Sequence, residues 1–171
     1  MITFKQIVEG YAGNVEQQRR SMDYEGANDR AIDKIKERNI SEIDSKLKQL
    51  PTKVRLANTA YSDGFSTEFS RSRWRNTSAN SDVRSSESHK AGNAYRESAV
   101  NDFDNSISEL LDNPYLSTKH LVSLHAIVDG ISDNSTLGSK KHNLYRAILS
   151  HKNSDDFVRG FHYARTGHNA P

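Results

Sequence analysis

The sequence has no cysteine, only three prolines in 171 residues, and no long apolar run. Without cysteine, the chain forms no disulfide, thiolate nucleophile or Cys-ligated zinc site. No stretch approaches the roughly 20 apolar residues of a membrane-spanning helix. The N-terminus also lacks the basic segment and apolar core of a secretory signal. These absences predict a soluble cytoplasmic protein without membrane contact.

Apolar residues are scarce as well, at 34% of the chain against 27% charged residues. A chain of this length can bury a real core, but so thin a supply predicts a fold that is economical, elongated or completed by a partner. The formal net charge is +2, and its positive excess lies within residues 51–100. Such a balance neither requires nor excludes nucleic acid as a partner.

Apolar residues recur at spacings of three and four along most of the chain, which is the period of an amphipathic helix. No run of alternating β-branched residues competes with this pattern. We therefore expect an all-α bundle of about six or seven helices, with a charged N-terminal helical hairpin and a compact C-terminal cluster.

The expected organisation has three parts that form one domain. Residues 1–75 hold the hairpin and a third helix, residues 76–90 form a polar connection rich in serine and asparagine, and residues 91–171 form the C-terminal cluster. Pro51 is expected to begin the third helix, because proline suits a first turn and disrupts a helix interior.

Three glycines, Gly64, Gly92 and Gly160, fall inside predicted helices beside aromatic residues. A glycine in a helix interior costs about 1 kcal/mol relative to alanine. The close approach of a neighbouring helix would offset that cost.

The last helix is expected to bury Phe157, Phe161 and Ala164. Val158, His162 and Arg165 would then share the opposite face, which could bind an anion or a partner. The favoured interpretation is a terminal amphipathic helix with bases near its C-terminal end, where the helix dipole stabilises them.

The strongest functional pattern is the basic-aromatic segment, residues 71–75, which reads Arg-Ser-Arg-Trp-Arg and contains the only tryptophan. Guanidinium groups bind phosphate as a fork, and an indole stacks on bases. We therefore predict a non-enzymatic nucleic-acid-binding protein. Alternatively, a continuing helix would bury Trp74 in the core and leave the arginines as a solvated flank. The predicted contact residues are Arg71, Arg73, Trp74, Arg75, Arg84 and Lys90.

A second hypothesis is a protein-interaction or assembly module. A narrow apolar stripe with heptad-like spacing could face a partner helix or a second copy. The small size, the serine- and asparagine-rich polarity and the missing cysteine are typical of a bacteriophage protein, such as an inhibitor of a host protein or a virion component. The location would then be the host cytoplasm. The stripe consists of Ile43, Leu47, Leu50 and Val54.

A third hypothesis is a metal-dependent hydrolase, since all seven histidines lie in the second half of the chain. His125 and Asp129 are four residues apart and share one face of a predicted helix. No second ligand pair has complementary spacing, and His125 lies on the apolar face. The favoured interpretation is a hydrogen-bonded core histidine. With phosphate-loop and nucleophile motifs also missing, we expect no catalytic residue, metal or cofactor.

Overall fold

The computed structural model describes the backbone of residues 4–75 and 81–168, and the side chains of 26–74 and 82–168. Within these ranges the chain is helical and has no strand, which confirms the all-α prediction. None of the helices described is long and apolar enough to cross a membrane. The elements are α1 (Phe4–Arg75), α2 (Ser81–Leu111), α3 (Thr118–Asp129), a 3-10 turn (Gly138–Lys140), α4 (Lys141–Ser150) and α5 (Asp156–Thr166).

The chain divides into two compact units, Met1–Ser41 (unit 1) and Glu42–Pro171 (unit 2). In the described part of the chain there are five α-helices instead of six or seven, because residues 4–75 form one helix where a hairpin and a third helix were expected. The charged N-terminal hairpin is therefore not confirmed.

The predicted helix boundary at Pro51 is wrong, since α1 continues through this proline. A proline inside a helix removes a backbone hydrogen bond and costs about 3 kcal/mol or more. Ile43, Leu47 and Leu50, on the preceding turns, are buried. Full burial of such a side chain contributes roughly 1.5–3 kcal/mol. Core packing around the proline therefore outweighs its local cost.

The predicted polar connection, residues 76–90, is helical from Ser81 onwards, and residues 76–80 lie outside the described part. Ser88 is fully buried, and its hydroxyl donates to the carbonyl of Arg84 at 2.8 Å. A serine whose hydroxyl is bonded within its own helix can face a neighbouring helix at short range. The polar composition of this stretch is thus compatible with a packed helix.

In unit 2, residues 42–75 of α1 pack antiparallel against α2. Lys46 Nζ lies 2.9 Å from Glu109 Oε2, and Lys53 Nζ lies 2.9 Å from Asp102 Oδ2. The residue numbers of these partners rise along α1 and fall along α2, so the two helices run antiparallel. Such partly exposed ion pairs contribute only about 0–1 kcal/mol each. They indicate the register of the two helices more than they stabilise it.

Two glycines lie where α1 and α2 come closest. A Cβ atom on Gly64 would lie 2.8 Å from Tyr95 Cγ, and one on Gly92 would lie 2.9 Å from the Tyr61 carbonyl oxygen. These distances leave no room for any other residue type. The predicted close approach is confirmed at both positions. It is wrong at Gly160, where a Cβ atom would meet nothing within 4 Å.

The core of unit 2 lies where the α1–α2 pair meets the three shorter helices. Ser117 caps α3 by accepting a hydrogen bond from the His120 backbone N–H, and Asp155 caps α5 in the same way through the N–H groups of Phe157 and Val158. The buried side chains come from every helix of the unit: Ile43, Leu47, Leu50, Ala57, Phe103, Ile107, Leu110, Leu116, Leu121, Leu124, Val128, Ile131, Leu137, Leu144, Tyr145, Ile148, Leu149 and Val158.

The predicted buried face of α5 is wrong for Phe157 and Ala164, while Phe161 is partly buried. The helix buries Val158 and His162, whereas Phe157 is 67% exposed and Ala164 is also exposed. Both pairs, Phe157 with Phe161 and Val158 with His162, have helical spacing. The face that is buried is the one that places His162 in a buried hydrogen bond, described below. Hydrophobicity alone does not predict this bond.

The glycine contact generates a test with its own matched control. We expect Gly64→Ala and Gly92→Ala each to destabilise the protein by about 1–3 kcal/mol, because the added methyl overpacks the contact. Gly160→Ala should instead raise the free energy of unfolding by up to about 1 kcal/mol through helix propensity. Urea unfolding of the three variants measures these changes. Equal stabilisation by all three would show that α1 and α2 do not touch there.

Candidate functional site

The basic-aromatic segment forms the last turn of α1. Ser72 is buried, and its hydroxyl donates to the Phe69 carbonyl at 3.0 Å. With this small residue turned inward, Arg71, Arg73 and Trp74 point outward, and Trp74 is 88% exposed. The helix does continue, but the alternative in which Trp74 fills the core is wrong.

The helix distributes these three side chains around its axis. Arg71 and Trp74 are three residues apart and are neighbours on one side of the helix. Arg73 is two residues from Arg71, roughly 200° around the axis, and therefore lies on the other side. In the part of the chain that the structure describes, neither arginine forms an ion pair. The turn thus presents an open indole with a guanidinium on each side.

A row of aromatic side chains leads along α1 towards this turn. The rings of Tyr61 and Phe65 stack with centroids 6.4 Å apart, and those of Phe65 and Phe69 with centroids 5.9 Å apart. The Arg96 guanidinium lies 5.8 Å from the centre of the Tyr61 ring, and the His89 ring packs against Phe65. The four-residue spacing was visible in the sequence as an apolar stripe, but only the pairing with α2 shows that Phe69 stays half-exposed.

The other predicted contact residues do not extend this surface into one track. The side chain of Arg75 lies outside the described residues. Arg84 is half-buried and already engaged in an interaction. Lys90 is exposed, but six residues along α2 from Arg84 it points roughly 240° around the helix. Of the predicted contact residues whose side chains are described, Arg71, Arg73 and Trp74 lie together on one helix turn.

The residues predicted to bind a partner helix lie inside the protein. Ile43, Leu47 and Leu50 are buried in the core of unit 2, and Val54 packs partly buried against it. The side chains of α2 and the shorter helices cover this stripe, so the folded chain does not offer it to a partner. This corrects the assignment of the stripe as an interaction surface.

His125 and Asp129, proposed as a metal-binding pair, have different hydrogen-bond partners. His125 is fully buried, with Nε2 2.8 Å from Nδ1 of His162. Asp129 accepts a hydrogen bond from the Tyr145 hydroxyl at 3.1 Å, and its other oxygen lies 4.0 Å from Arg165. The described residues contain no group of three potential metal ligands. The interpretation of His125 as a hydrogen-bonded core residue is confirmed.

Aromatic rings pack around this histidine pair. The His125 ring lies 4.7 Å from the Tyr145 ring and meets the Phe161 ring edge-on at 5.3 Å, measured between centroids. Burial, followed by the nearby charge of His162, lowers the pKa of His125 to about 4. Burial also lowers the pKa of His162, with His168 adding to the effect. Both imidazoles are therefore neutral at neutral pH.

His162 also lines an open cleft of about 570 Å³ between the end of α3, the following turn, α4 and α5. Asp129, Lys141 and Arg165 contribute charged groups to its wall. Sequence reasoning noted the histidine-rich second half but missed this cleft, because its residues come from four separate segments. The only signal was the basic and histidine-rich run at the end of the chain.

Comparison with known proteins finds no matching family model, curated protein or solved structure. The possible roles of the basic-aromatic segment and of the cleft are therefore argued from their own geometry and charge.

The histidine pair predicts an acid-sensitive fold. Because the folded-state pKa of His125 is about 4 against an ordinary 6.5, the unfolded chain binds more protons between these values. Stability should be fully present above pH 6.5 and fall as the pH drops towards 4, by roughly 2–3 kcal/mol. Urea unfolding across this range measures the loss. A flat profile, with His125 ring signals titrating near 6.5 by NMR, would contradict the buried pair.

Proposed function

We propose that this protein binds nucleic acid through the last turn of α1, with Arg71, Arg73 and Trp74 as the principal contacts. The guanidinium groups neutralise phosphates, and the indole stacks on a base. Of the other predicted contact residues, Arg84 already has an interaction and Lys90 points to another side of α2, so the proposal does not depend on them. The role is binding, without a chemical step.

The observation that carries the proposal is the exposure of Trp74. Tryptophan is highly buried on average, and its large surface favours the core, yet here 88% of the residue is exposed. Its inward neighbour Ser72 makes the packing contact, so the indole has no structural task in the described part of the chain. An open indole between two arginines has the chemistry of a stacking platform for nucleotides.

Single-stranded nucleic acid fits this arrangement better than a duplex. An indole needs the face of a base, which an unpaired strand presents and a duplex conceals within its stack. The arginines on opposite sides of the helix can each contact a phosphate as the strand passes across the turn. The same chemistry serves DNA and RNA, so the proposal covers single strands of both.

Trp74 provides a test of stacking. Single-stranded oligonucleotides should quench its fluorescence, which has no other tryptophan to obscure it. Trp74→Ala should weaken binding about tenfold or more, and Trp74→Phe should retain most of the affinity because it keeps an aromatic face. The anisotropy of a labelled oligonucleotide measures the variants. Unquenched fluorescence together with unchanged affinity of Trp74→Ala would reject the stacking role.

The arginines are tested by the salt dependence of binding. Each phosphate contact contributes about 0.7 to the slope of log K against log salt for a single strand, so Arg71→Ala with Arg73→Ala should reduce the slope by about 1.4. The matched control is Lys48→Ala with Arg55→Ala, which removes the same charge from exposed positions of α1 farther from Trp74. If the two double variants have equal slopes, Arg71 and Arg73 contribute only general positive charge, and their assigned phosphate contacts are rejected.

Unit 1 supports a second candidate function, the association of two copies of the chain. Over residues 26–41 no described side chain is buried, although Ile32 and Ile35 lie one turn apart and are each about half-exposed. Aspartate and glutamate alternate with lysine and arginine along the same stretch, as in the Asp33–Lys36 pair at 3.8 Å. Interspersed charges of both signs allow ion pairs between this helix and an antiparallel copy of itself. We propose that a second copy covers these isoleucines.

Sedimentation over a range of protein concentrations tests this association. The wild type should increase in mass with concentration, and Ile32→Ser with Ile35→Ser should shift the dimer towards monomer by removing apolar contact area. Lys34→Ser with Glu37→Ser, two exposed neighbours of opposite charge, is the control and should leave the mass profile in place. A wild type that is monomeric at every concentration would overturn this candidate.

A further inference from the structure

The cleft beside His162 has the size of a ligand site. Its volume of about 570 Å³ lies within the range of small-molecule pockets, roughly 300–1,000 Å³. Its wall combines groups from four segments, and the position of each depends on the packing of unit 2. The groups used below are Asp129, Asp133, Lys141, Tyr145, His162 and Arg165.

The carboxylates of the cleft already have partners. Asp129 accepts from Tyr145 at 3.1 Å and lies 4.0 Å from Arg165. Asp133 accepts from Lys141 Nζ at 3.2 Å, and the same ammonium also donates to the Ile131 carbonyl. A cation entering the cleft would have to displace these internal donors. A guanidinium has five N–H donors, so Arg165 can face Asp129 and still bind an oxygen of a ligand.

His162 directs its second nitrogen at the cleft. The residue is only 5% exposed, and its Nδ1 is occupied by His125. Among the described residues, His125 Nδ1 is a fully buried nitrogen without a hydrogen-bond partner, whereas His162 Nε2 is not in that group. Because Nε2 also makes no hydrogen bond in this part of the chain, it is accessible at the surface. The surface that His162 lines is the cleft, so Nε2 is the polar atom that it presents there.

The hydrogen-bond pattern decides which form of the imidazole faces the cleft. If the proton of His125 were on Nδ1, a buried N–H would have no acceptor, which is rare in folded proteins. With the proton on Nε2, His125 donates to Nδ1 of His162 and leaves only an unpaired acceptor. His162 then carries its own proton on Nε2. The cleft wall therefore holds a fixed N–H donor beside a guanidinium.

We propose that this cleft binds a small molecule carrying an oxyanion, either phosphate or carboxylate, which accepts hydrogen bonds from His162 Nε2 and Arg165. His125 is the positioning residue, because it holds the His162 ring and its tautomer. His142 and His168 line the same cleft. The site is separate from the basic-aromatic segment and goes beyond the proposed nucleic-acid binding.

NMR on the full chain with ¹⁵N-labelled histidine tests the proposal. In the free protein, the coupling pattern should place the His162 proton on Nε2. Inorganic phosphate, phenyl phosphate and acetate, titrated separately at neutral pH, should shift the His162 ring signals saturably. Saturation by the two phosphates alone would identify a phosphate site, and saturation by acetate alone a carboxylate site.

Two variants on α5 make the test specific. Arg165→Gln should weaken binding of the saturating probe roughly tenfold, as expected for a charge-assisted hydrogen bond. Arg159→Gln removes the same charge from an exposed position of the helix that does not line the cleft, and it should bind as the wild type does. Both positions are exposed, so both variants should fold.

The proposal is overturned if no probe shifts His162, if Arg165→Gln and Arg159→Gln bind equally, or if the His162 proton lies on Nδ1. Saturation by calcium in place of the oxyanions would also overturn it. None of these results depends on Trp74, so failure here is distinguishable from failure of nucleic-acid binding.

Discussion

Gly64 and Gly92 allow the backbones of α1 and α2 to meet, and the rest of unit 2 is arranged around that contact. Close approach at this point aligns the aliphatic stripe of α1 with Phe103 and Ile107 of α2, which join it in the core. The same alignment gives Pro51 enough surrounding packing to remain inside a helix. Farther along α1, Ser72 is buried and Trp74 is exposed, so the indole lies on a side of the helix that is not packed.

A polar contact has the corresponding role among the shorter helices. The hydrogen bond between His125 and His162 decides which side of α5 faces the core, and it leaves Phe157 in solvent. Buried polar groups are costly unless they are bonded, so such a pair specifies one arrangement strongly. It also holds the His162 ring at the cleft. One interaction therefore specifies the packing of α5 and supplies a donor for the proposed ligand.

The two candidate sites differ in how far they are exposed to water. The end of α1 is open to water, so the proposed interaction with phosphates would be screened by salt and would rely on several weak contacts. The cleft is partly enclosed and carries a donor with a defined direction, which favours a small ligand over a polymer. Each surface can serve its ligand without the other. Their coexistence in unit 2 is compatible with a protein that binds a strand and a small anion independently.

Much of the helical structure could be read from the sequence, because local signals control it. Periodic apolar residues indicated helices, and the ends observed for α3 and α5 carry residues that commonly cap helices, namely Ser117, Gly130 and Gly167. Two of the three helix-interior glycines correctly indicated a close neighbour. The boundary at Pro51 failed because burial of distant side chains outweighs a local cost, which no spacing pattern reports.

The candidate sites also depend partly on local sequence and partly on contacts between distant segments. Residue order alone supplied the cluster of Arg71, Arg73 and Trp74, since these lie within four positions. Whether the indole was buried depended on what α2 covers, and the buried face of α5 depended on a histidine 37 residues away. Local chemistry determines which side chains are available, whereas contacts between distant segments determine which of them water can reach. Folding free energy is gained mainly from those distant contacts, so exposure is decided in the tertiary structure.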